Sequence, residues 1–277
     1  LVRLTSAALT MEPKPATTFT TDINRTATAN YAMDDRGDFT DADRGLITAL
    51  PDILRNDKGE VLRDASVLAY ITDDADRPDT VNPSLWRQSQ LVKREGLYKV
   101  VDGLYQLRFG GANITIVDAP DGLVFVDTGT SVDLAKAGLE LFRREVGNDK
   151  PVAAVIYTHT HFDHYGGVKG VVDEADVVSG KIPIVAPGTI ASFDKFAIGE
   201  NVITGNAMSR RMGYTFGLIL PHCDCGLVTV GLGAADDGAH TNISYISPTD
   251  PITRTGETRT LGGWEFEFLY APDTEAP

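Results

Sequence analysis

Three of the chain's five histidines fall within six residues, in the run Thr158-His159-Thr160-His161-Phe162-Asp163-His164-Tyr165-Gly166-Gly167. A buried imidazole without a partner costs free energy, so this clustering needs a physical reason. A divalent zinc ion supplies one, because it takes imidazole nitrogens and carboxylate oxygens together. The run follows directly on residues 152–157, a short β-branched apolar stretch that reads as a buried strand. The cluster therefore sits at the C-terminal end of that strand. His159 and His161, two residues apart, point the same way in an extended segment. Asp163 and His164 come after a turn and face a second metal ion. Gly166-Gly167 lets the backbone pack closely where the next element begins. The strand before the cluster and the glycine pair after it favour a metal site over an inert, solvated histidine-rich loop.

The rest of the pattern places this site in an α/β layered fold. Leu104-Tyr105-Gln106-Leu107-Arg108-Phe109 alternates apolar and polar residues. Residues 113–117 and 123–126 are strand-like and are parted by the turn Ala119-Pro120-Asp121-Gly122. The spacing of Ala135, Leu139, Phe142 and Val146 predicts a helix over 132–146 packed on a sheet. Further strands are predicted at 182–186 and 264–270, and 190–216 reads as helical or irregular. Antiparallel strands come first, then strand–helix alternation, which gives a mixed sheet. There is no phosphate-binding glycine loop of the G-x-G-x-x-G or Walker type after a strand.

Charge and composition narrow the class. The 277 residues carry 25 Lys+Arg against 39 Asp+Glu, a net charge of −14. That balance argues against a general nucleic-acid binder, which needs excess basic residues to neutralise phosphates. No window approaches ~20 uninterrupted apolar residues, so no membrane span is expected. Residues 1–80 hold 15 acidic and 9 basic side chains, with five aspartates in 33–43. Their periodicity is weak, and they read as an extended N-terminal arm that wraps a partner surface, or as a solvated loop. Cys223 and Cys225 exclude a disulfide scaffold, and their closeness makes a bond between them an unexpected one. His222-Cys223-Asp224-Cys225 reads as an exposed loop rather than a thiolate site, and His240 as structural or solvent-facing.

The run H-x-H-x-D-H after a core strand resembles the signature of the metallo-β-lactamase superfamily, and Val126-Asp127-Thr128-Gly129 resembles its upstream strand end. The resemblance narrows to the alkylsulfatase branch through four phrases: Asn82-Pro83-Ser84-Leu85-Trp86-Arg87-Gln88, Asp38-Phe39-Thr40-Asp41-Ala42-Asp43-Arg44-Gly45, Gly205-Asn206-Ala207-Met208-Ser209-Arg210-Arg211 and Thr274-Glu275-Ala276-Pro277. It implies a four-layered αββα sandwich, incomplete in this chain, with residues 1–80 as a dimer-wrapping arm and 81–277 as a catalytic domain truncated at its C-terminal side. It implies two zinc ions, with His159, His161 and Glu275 as ligands of one and Asp163 and His164 facing the other. Asp127 is expected close behind the ligands.

The implied reaction is zinc-dependent hydrolysis of alkyl sulfate esters to an alcohol and inorganic sulfate, by a metal-activated hydroxide with Asp163 and His164 at the reacting centre. A homodimer and a periplasmic or secreted location go with it. The family chain continues past this point, with a bridging glutamate and a further histidine, so a C-terminal region or second chain is expected to complete the second metal site. Arg210 and Arg211 are candidates to hold a sulfate oxygen through charge-assisted bonds, or else form ordinary ion pairs. Tyr214 and Tyr245 either line the substrate pocket or belong to the core. Two other readings stand beside this one: another hydrolase of the superfamily (a lactonase, thioesterase or β-lactamase) and a non-catalytic zinc-binding fragment. Histidine in place of Glu275 would mark the other hydrolases.

Overall fold

A computed structural model describes residues 14–109, 111–199, 205–233 and 242–274. Twelve strands are found among them: β1 (Leu46–Ala49), β2 (Ile53–Arg55), β3 (Val61–Asp64), β4 (Gly96–Val101), β5 (Leu104–Arg108), β6 (Ile114–Ala119), β7 (Gly122–Val126), β8 (Val152–Ile156), β9 (Ile184–Pro187), β10 (Asp250–Ile252), β11 (Glu257–Leu261) and β12 (Trp264–Phe268). The α-helices among them are α1 (Thr18–Ala27), α2 (Gly37–Ala42), α3 (Pro83–Val92), α4 (Val132–Val146), α5 (Phe162–Tyr165), α6 (Glu174–Val178), α7 (Ile190–Ile198) and α8 (Gly205–Thr215).

Eight strands form one sheet in the order β1-β4-β5-β6-β7-β8-β9-β10. The pairs from β1 through β7 are antiparallel, and those from β7 through β10 are parallel. The change of direction occurs between β7 and β8, where α4 crosses over. In open sheets with parallel strands, ligands bind beyond the strands' carboxyl ends. The ends of β7 and β8 are where Asp127 and the histidine run emerge.

Alternation along the strands sends side chains to two cores. Ile114, Ile116, Leu123, Phe125 and Val155 face the helices, where they meet Leu134, Leu139 and Phe142 of α4. Phe142 also sets its ring edge-on to Tyr105, with centroids 5.1 Å apart. Helix α4 starts at Ser131, whose Oγ accepts from Leu134 N, and has Asp133 in its first turn and Arg143 and Arg144 in its last. Both charge placements suit the helix dipole. On the opposite face, Val117, Val124, Ala154, Ile156, Val185 and Ile252 pack against Leu261, Phe266 and Phe268 of the β11–β12 hairpin.

This is a mixed α/β architecture of the kind the resemblance implies. Among the described residues its layers are helices, the eight-stranded sheet and the two-stranded hairpin. The outer helical layer of the implied sandwich is not among them. Trp264 and Leu269 at the hairpin are exposed.

The part of the chain before α3 contributes β1 to the sheet's edge against β4, and the β2–β3 hairpin. It also contributes Leu68, Ile71 and Val81 to a small core with Trp86 and Val228. Among the described residues, no helix is long and apolar enough to cross a membrane.

One expectation is corrected. Cys223 and Cys225 are joined in a disulfide. The turn that carries them brings their Cα atoms to 5.1 Å, within the usual range for a bridge. Sequence distance alone was the wrong criterion, because the backbone bends sharply between them. The loop reading itself stands, since Asp224 and Cys225 are exposed.

Candidate metal centre

The site starts from the backbone of Asp127. This residue leaves β7 with φ of 59°, a left-handed conformation that few non-glycine residues adopt and that aspartate tolerates better than most. Its N–H still donates to Ile156 O at 2.8 Å, so the two strand ends stay joined. The unusual backbone turns the carboxylate across the end of the sheet. There it accepts three bonds: from Thr158 N (2.8 Å), from Thr158 Oγ1 (2.8 Å) and from His164 Nδ1 (2.7 Å).

These bonds set the tautomers of two histidines. His164 donates from Nδ1 to Asp127, which leaves Nε2 free to face Asp163 at 3.4 Å. Thr158 Oγ1 gives its proton to Asp127 and lies 2.9 Å from His159 Nδ1. His159 must then be the donor in that contact, which leaves its Nε2 lone pair free. One buried carboxylate thus orients one imidazole directly and a second through a threonine hydroxyl.

The rings converge. His159 and His164 have centroids 4.0 Å apart, and His159 and His161 4.7 Å. Burial lowers the pKa of His159, and the neighbouring His164 and His161 lower it further, so His159 is held neutral. Burial also acts against charge on His164, but the bonds to Asp127 and Asp163 outweigh it and raise the pKa to about 10. Burial pushes the Asp163 carboxyl up, yet the bond from His164 and that ring's charge hold it below its ordinary value.

A tight glycine pair locks the loop behind the ligands. A Cβ on Gly166 would lie 2.2 Å from Thr130 O, and one on Gly167 2.1 Å from Thr128 O. Thr128 N in turn donates to His164 O at 2.7 Å. The segment after Asp127 and the loop carrying the histidines therefore touch backbone to backbone. Ser244 joins them from the far side, with N and Oγ both donating to Gly166 O.

The donor chemistry fits a divalent cation: the oriented, neutral imidazole of His159, the oriented imidazole of His164 once a cation displaces its second proton, the imidazole of His161 and the Asp163 carboxylate. His159 lies beside both His161 and His164, and Asp163 lies beside His164. They do not close into one compact three-donor cradle, an arrangement found among the described residues only at Cys223, Asp224 and Cys225, whose sulfurs are bonded to each other.

Beside the histidines lies a cavity of about 410 Å³ lined by His159, His161, Phe193, Phe196, Tyr270 and Thr274, among others. Its wall is largely apolar, and one end meets the ligands. Helix α7, which supplies Phe193 and Phe196, is tied down by Asp194, which accepts from Tyr245 Oη (2.5 Å) and Ser247 Oγ (2.7 Å).

His159, His161, Asp163, His164 and Asp127 are thus brought together. Arg210, Arg211 and Tyr214 lie exposed on α8 and do not line this cavity. Tyr245 belongs to the core, edge-on to Tyr165. Glu275 and His240 lie outside the described residues, although Thr274, the residue before Glu275, lines the cavity. Thr158 escaped the sequence reading. Its only signal was its place between the strand and the first histidine.

The sequence pattern of the metallo-β-lactamase superfamily matches residues 107–274, and the chain belongs to that superfamily. Its members use metal ions, usually zinc. The chain is 45% identical over 266 residues to a linear primary-alkylsulfatase of a Pseudomonas species, covering 95% of this chain and 39% of that one. It is 38% identical over 272 residues to an (R)-specific secondary-alkylsulfatase, also from Pseudomonas, covering 98% and 40%. With the alkyl/aryl-sulfatase BDS1 of Saccharomyces cerevisiae it shares 42% identity over 247 residues, covering 88% and 37%. The solved structure of the stereoselective inverting sec-alkylsulfatase Pisa1 from Pseudomonas superposes with a TM-score of 0.84 at 38% identity, covering 93% of this chain and 40% of that one. The chain spans about two fifths of the length of the curated relatives it matches.

Proposed function

We propose that this chain carries the metal centre of a hydrolase that cleaves alkyl sulfate esters to an alcohol and inorganic sulfate. The observation that carries the reading is the gathering of His159, His161, Asp163 and His164 around one carboxylate, with Asp127 holding the ring of His164 and, through Thr158, that of His159, while His159 and His161 open onto a cavity that Phe193, Phe196 and Tyr270 also line. The names of the relatives support the substrate class. Two zinc ions are the reading's cofactor. His159 and His161 hold one, with Glu275 assigned as their third partner, and Asp163 and His164 hold the other.

When bound, zinc supplies Lewis acidity and lowers the pKa of water toward neutrality. The chain's residues do the rest. Asp127 fixes the ring of His164 so that Nε2 faces the reacting region, and its bond to Thr158 does the same for His159. Asp163 stays ionised and serves as a ligand rather than a proton acceptor. The sulfate head sits at the histidine end of the cavity, and the alkyl chain lies against Phe193, Phe196 and Tyr270, where burial of its methylenes gives affinity without bonds to them.

The test is a substrate comparison on zinc-loaded protein supplied together with the C-terminal region expected to complete the second metal site: dodecyl sulfate against a lactone, a thioester and a β-lactam. The reading expects inorganic sulfate from dodecyl sulfate and little turnover of the others. Turnover of any of the other three at a rate matching or exceeding that of the sulfate ester would replace it.

A further inference from the structure

Cys223 and Cys225 enclose one residue, so their bond closes a very short loop. Cross-linking so short a loop removes little entropy from the unfolded chain. The turn does not depend on the bond either. Leu227 N donates to Pro221 O (2.9 Å), Gly226 N to Cys223 O (3.1 Å) and Cys223 N to Leu227 O (3.2 Å). Gly226 lets the chain close on itself, since a Cβ there would lie 2.4 Å from Pro221 O.

Both ends of the turn are anchored on the N-terminal part of the fold. Thr80 Oγ1 donates to Asp224 O at 2.9 Å, and Thr229 Oγ1 is in a buried 2.7 Å bond with Ser89 Oγ. Val228 is buried with Trp86 and Leu68. The backbone therefore keeps the two cysteine Cα atoms close, within reach of one cation, whether or not the sulfurs are bonded.

The same turn brings a carboxylate to the sulfurs. Ligand atoms of Cys223, Asp224 and Cys225 all lie within 4.8 Å of one another. The residue before them, His222, has its Nδ1 buried without a hydrogen-bond partner among the described residues. Asp224 and Cys225 are exposed, so both a reductant and a cation have access.

We infer that Cys223, Asp224 and Cys225 form a further metal site, separate from the histidine centre, that takes a thiolate-seeking cation such as zinc and is closed by its own disulfide. A dithiol reductant opens it. Two electrons and two protons pass from the dithiol, which becomes a disulfide, and the Cys223–Cys225 bond becomes two thiols. Binding the cation then releases the two thiol protons, because the thiolate is the ligand. Two sulfurs and one carboxylate oxygen give three protein ligands, with the fourth position left to water.

The test uses protein already saturated with zinc at the histidine centre and freed of excess metal. Oxidised and phosphine-reduced samples are titrated with cobalt(II). The near-ultraviolet thiolate-to-cobalt charge-transfer band is a signature that imidazoles and carboxylates cannot give. The reduced protein is expected to develop the band with a one-equivalent endpoint, and the oxidised protein none. Cys225→Ser abolishes it, and Asp224→Asn weakens binding on the order of tenfold. Alkylating the reduced thiols abolishes it without any substitution, which covers the case in which the serine variant misfolds. A reduced, folded protein that gives no band overturns the inference, as does a band that survives alkylation of both cysteines.

Discussion

Asp127 Oδ2 accepts a 2.7 Å bond from Nδ1 of His164, a residue 37 positions further along the chain. That bond decides which nitrogen of the ring faces the metal-binding region. The same carboxylate receives the Thr158 hydroxyl and so reaches His159 as well. Asp127 is not placed as a ligand in this account, but the orientation of two ligands depends on it.

Replacing Asp127 by Asn keeps the side chain's size and removes its charge. Groups that orient metal ligands from behind typically contribute 10- to 100-fold in affinity. Asp127→Asn is expected to weaken zinc binding by about that factor, measured by competition with a chromophoric chelator. Thr158→Val is expected to act in the same direction, because it leaves Nδ1 of His159 without its acceptor. Unchanged zinc affinity in both variants would separate Asp127 from the metal centre.

Gly167→Ala tests the close backbone contact. The added Cβ meets Thr128 O at 2.1 Å and the Ala135 Cβ at 2.6 Å, and neither of these can swing away as a long side chain could. Overpacking of this kind costs about 1–3 kcal/mol, and sometimes more. Denaturant unfolding should show a lower midpoint for the variant, together with reduced zinc content, since the same contact positions the ligand loop.

Glu257 gives an acid-dependent contribution to stability. Thr253 N donates to its carboxylate, and Arg259 and Arg254 N add to this, so its pKa falls from 4.5 to about 2 in the folded chain. A lowered folded-state value means that the contribution is present above the unfolded pKa and disappears as the pH falls through the folded one. The window therefore runs from about 4.5 down to about 2. Glu257→Gln should flatten the loss of stability across that interval in thermal melts at stepped pH, while wild type continues to lose stability.

Much of this architecture was legible in the residues. Helix α4 occupies the span its apolar spacing predicts, because Ser131 caps it and its buried stripe is uninterrupted. Strands β5 to β8 follow their alternation to within a residue or two. Strands β1 to β3 were harder to read, since they are three or four residues long, β1 and β2 are mostly exposed, and the buried pair in β3 is Leu62 with the charged Arg63. That the three histidines and Asp163 gather beyond the end of β8 was legible from their spacing after that strand. Thr158 was not, because a threonine at a strand end is ordinary and its role depends on the backbone turn at Asp127. The sulfur bridge was misread because sequence separation says little about Cα distance within a sharp turn.

Asp163→Asn separates two roles for that side chain. As a ligand, its loss should lower zinc content and activity together. Full zinc content with lost turnover would point instead to a proton-transfer role.

The most direct measurement of the central claim is inorganic sulfate released from dodecyl sulfate while metal is removed and returned. The account predicts that sulfate release falls with bound zinc as a chelator strips the protein, and recovers when zinc is restored. It also predicts that His161→Ala does not recover under the same treatment. Undiminished sulfate release from metal-free protein, or from His161→Ala, would contradict it.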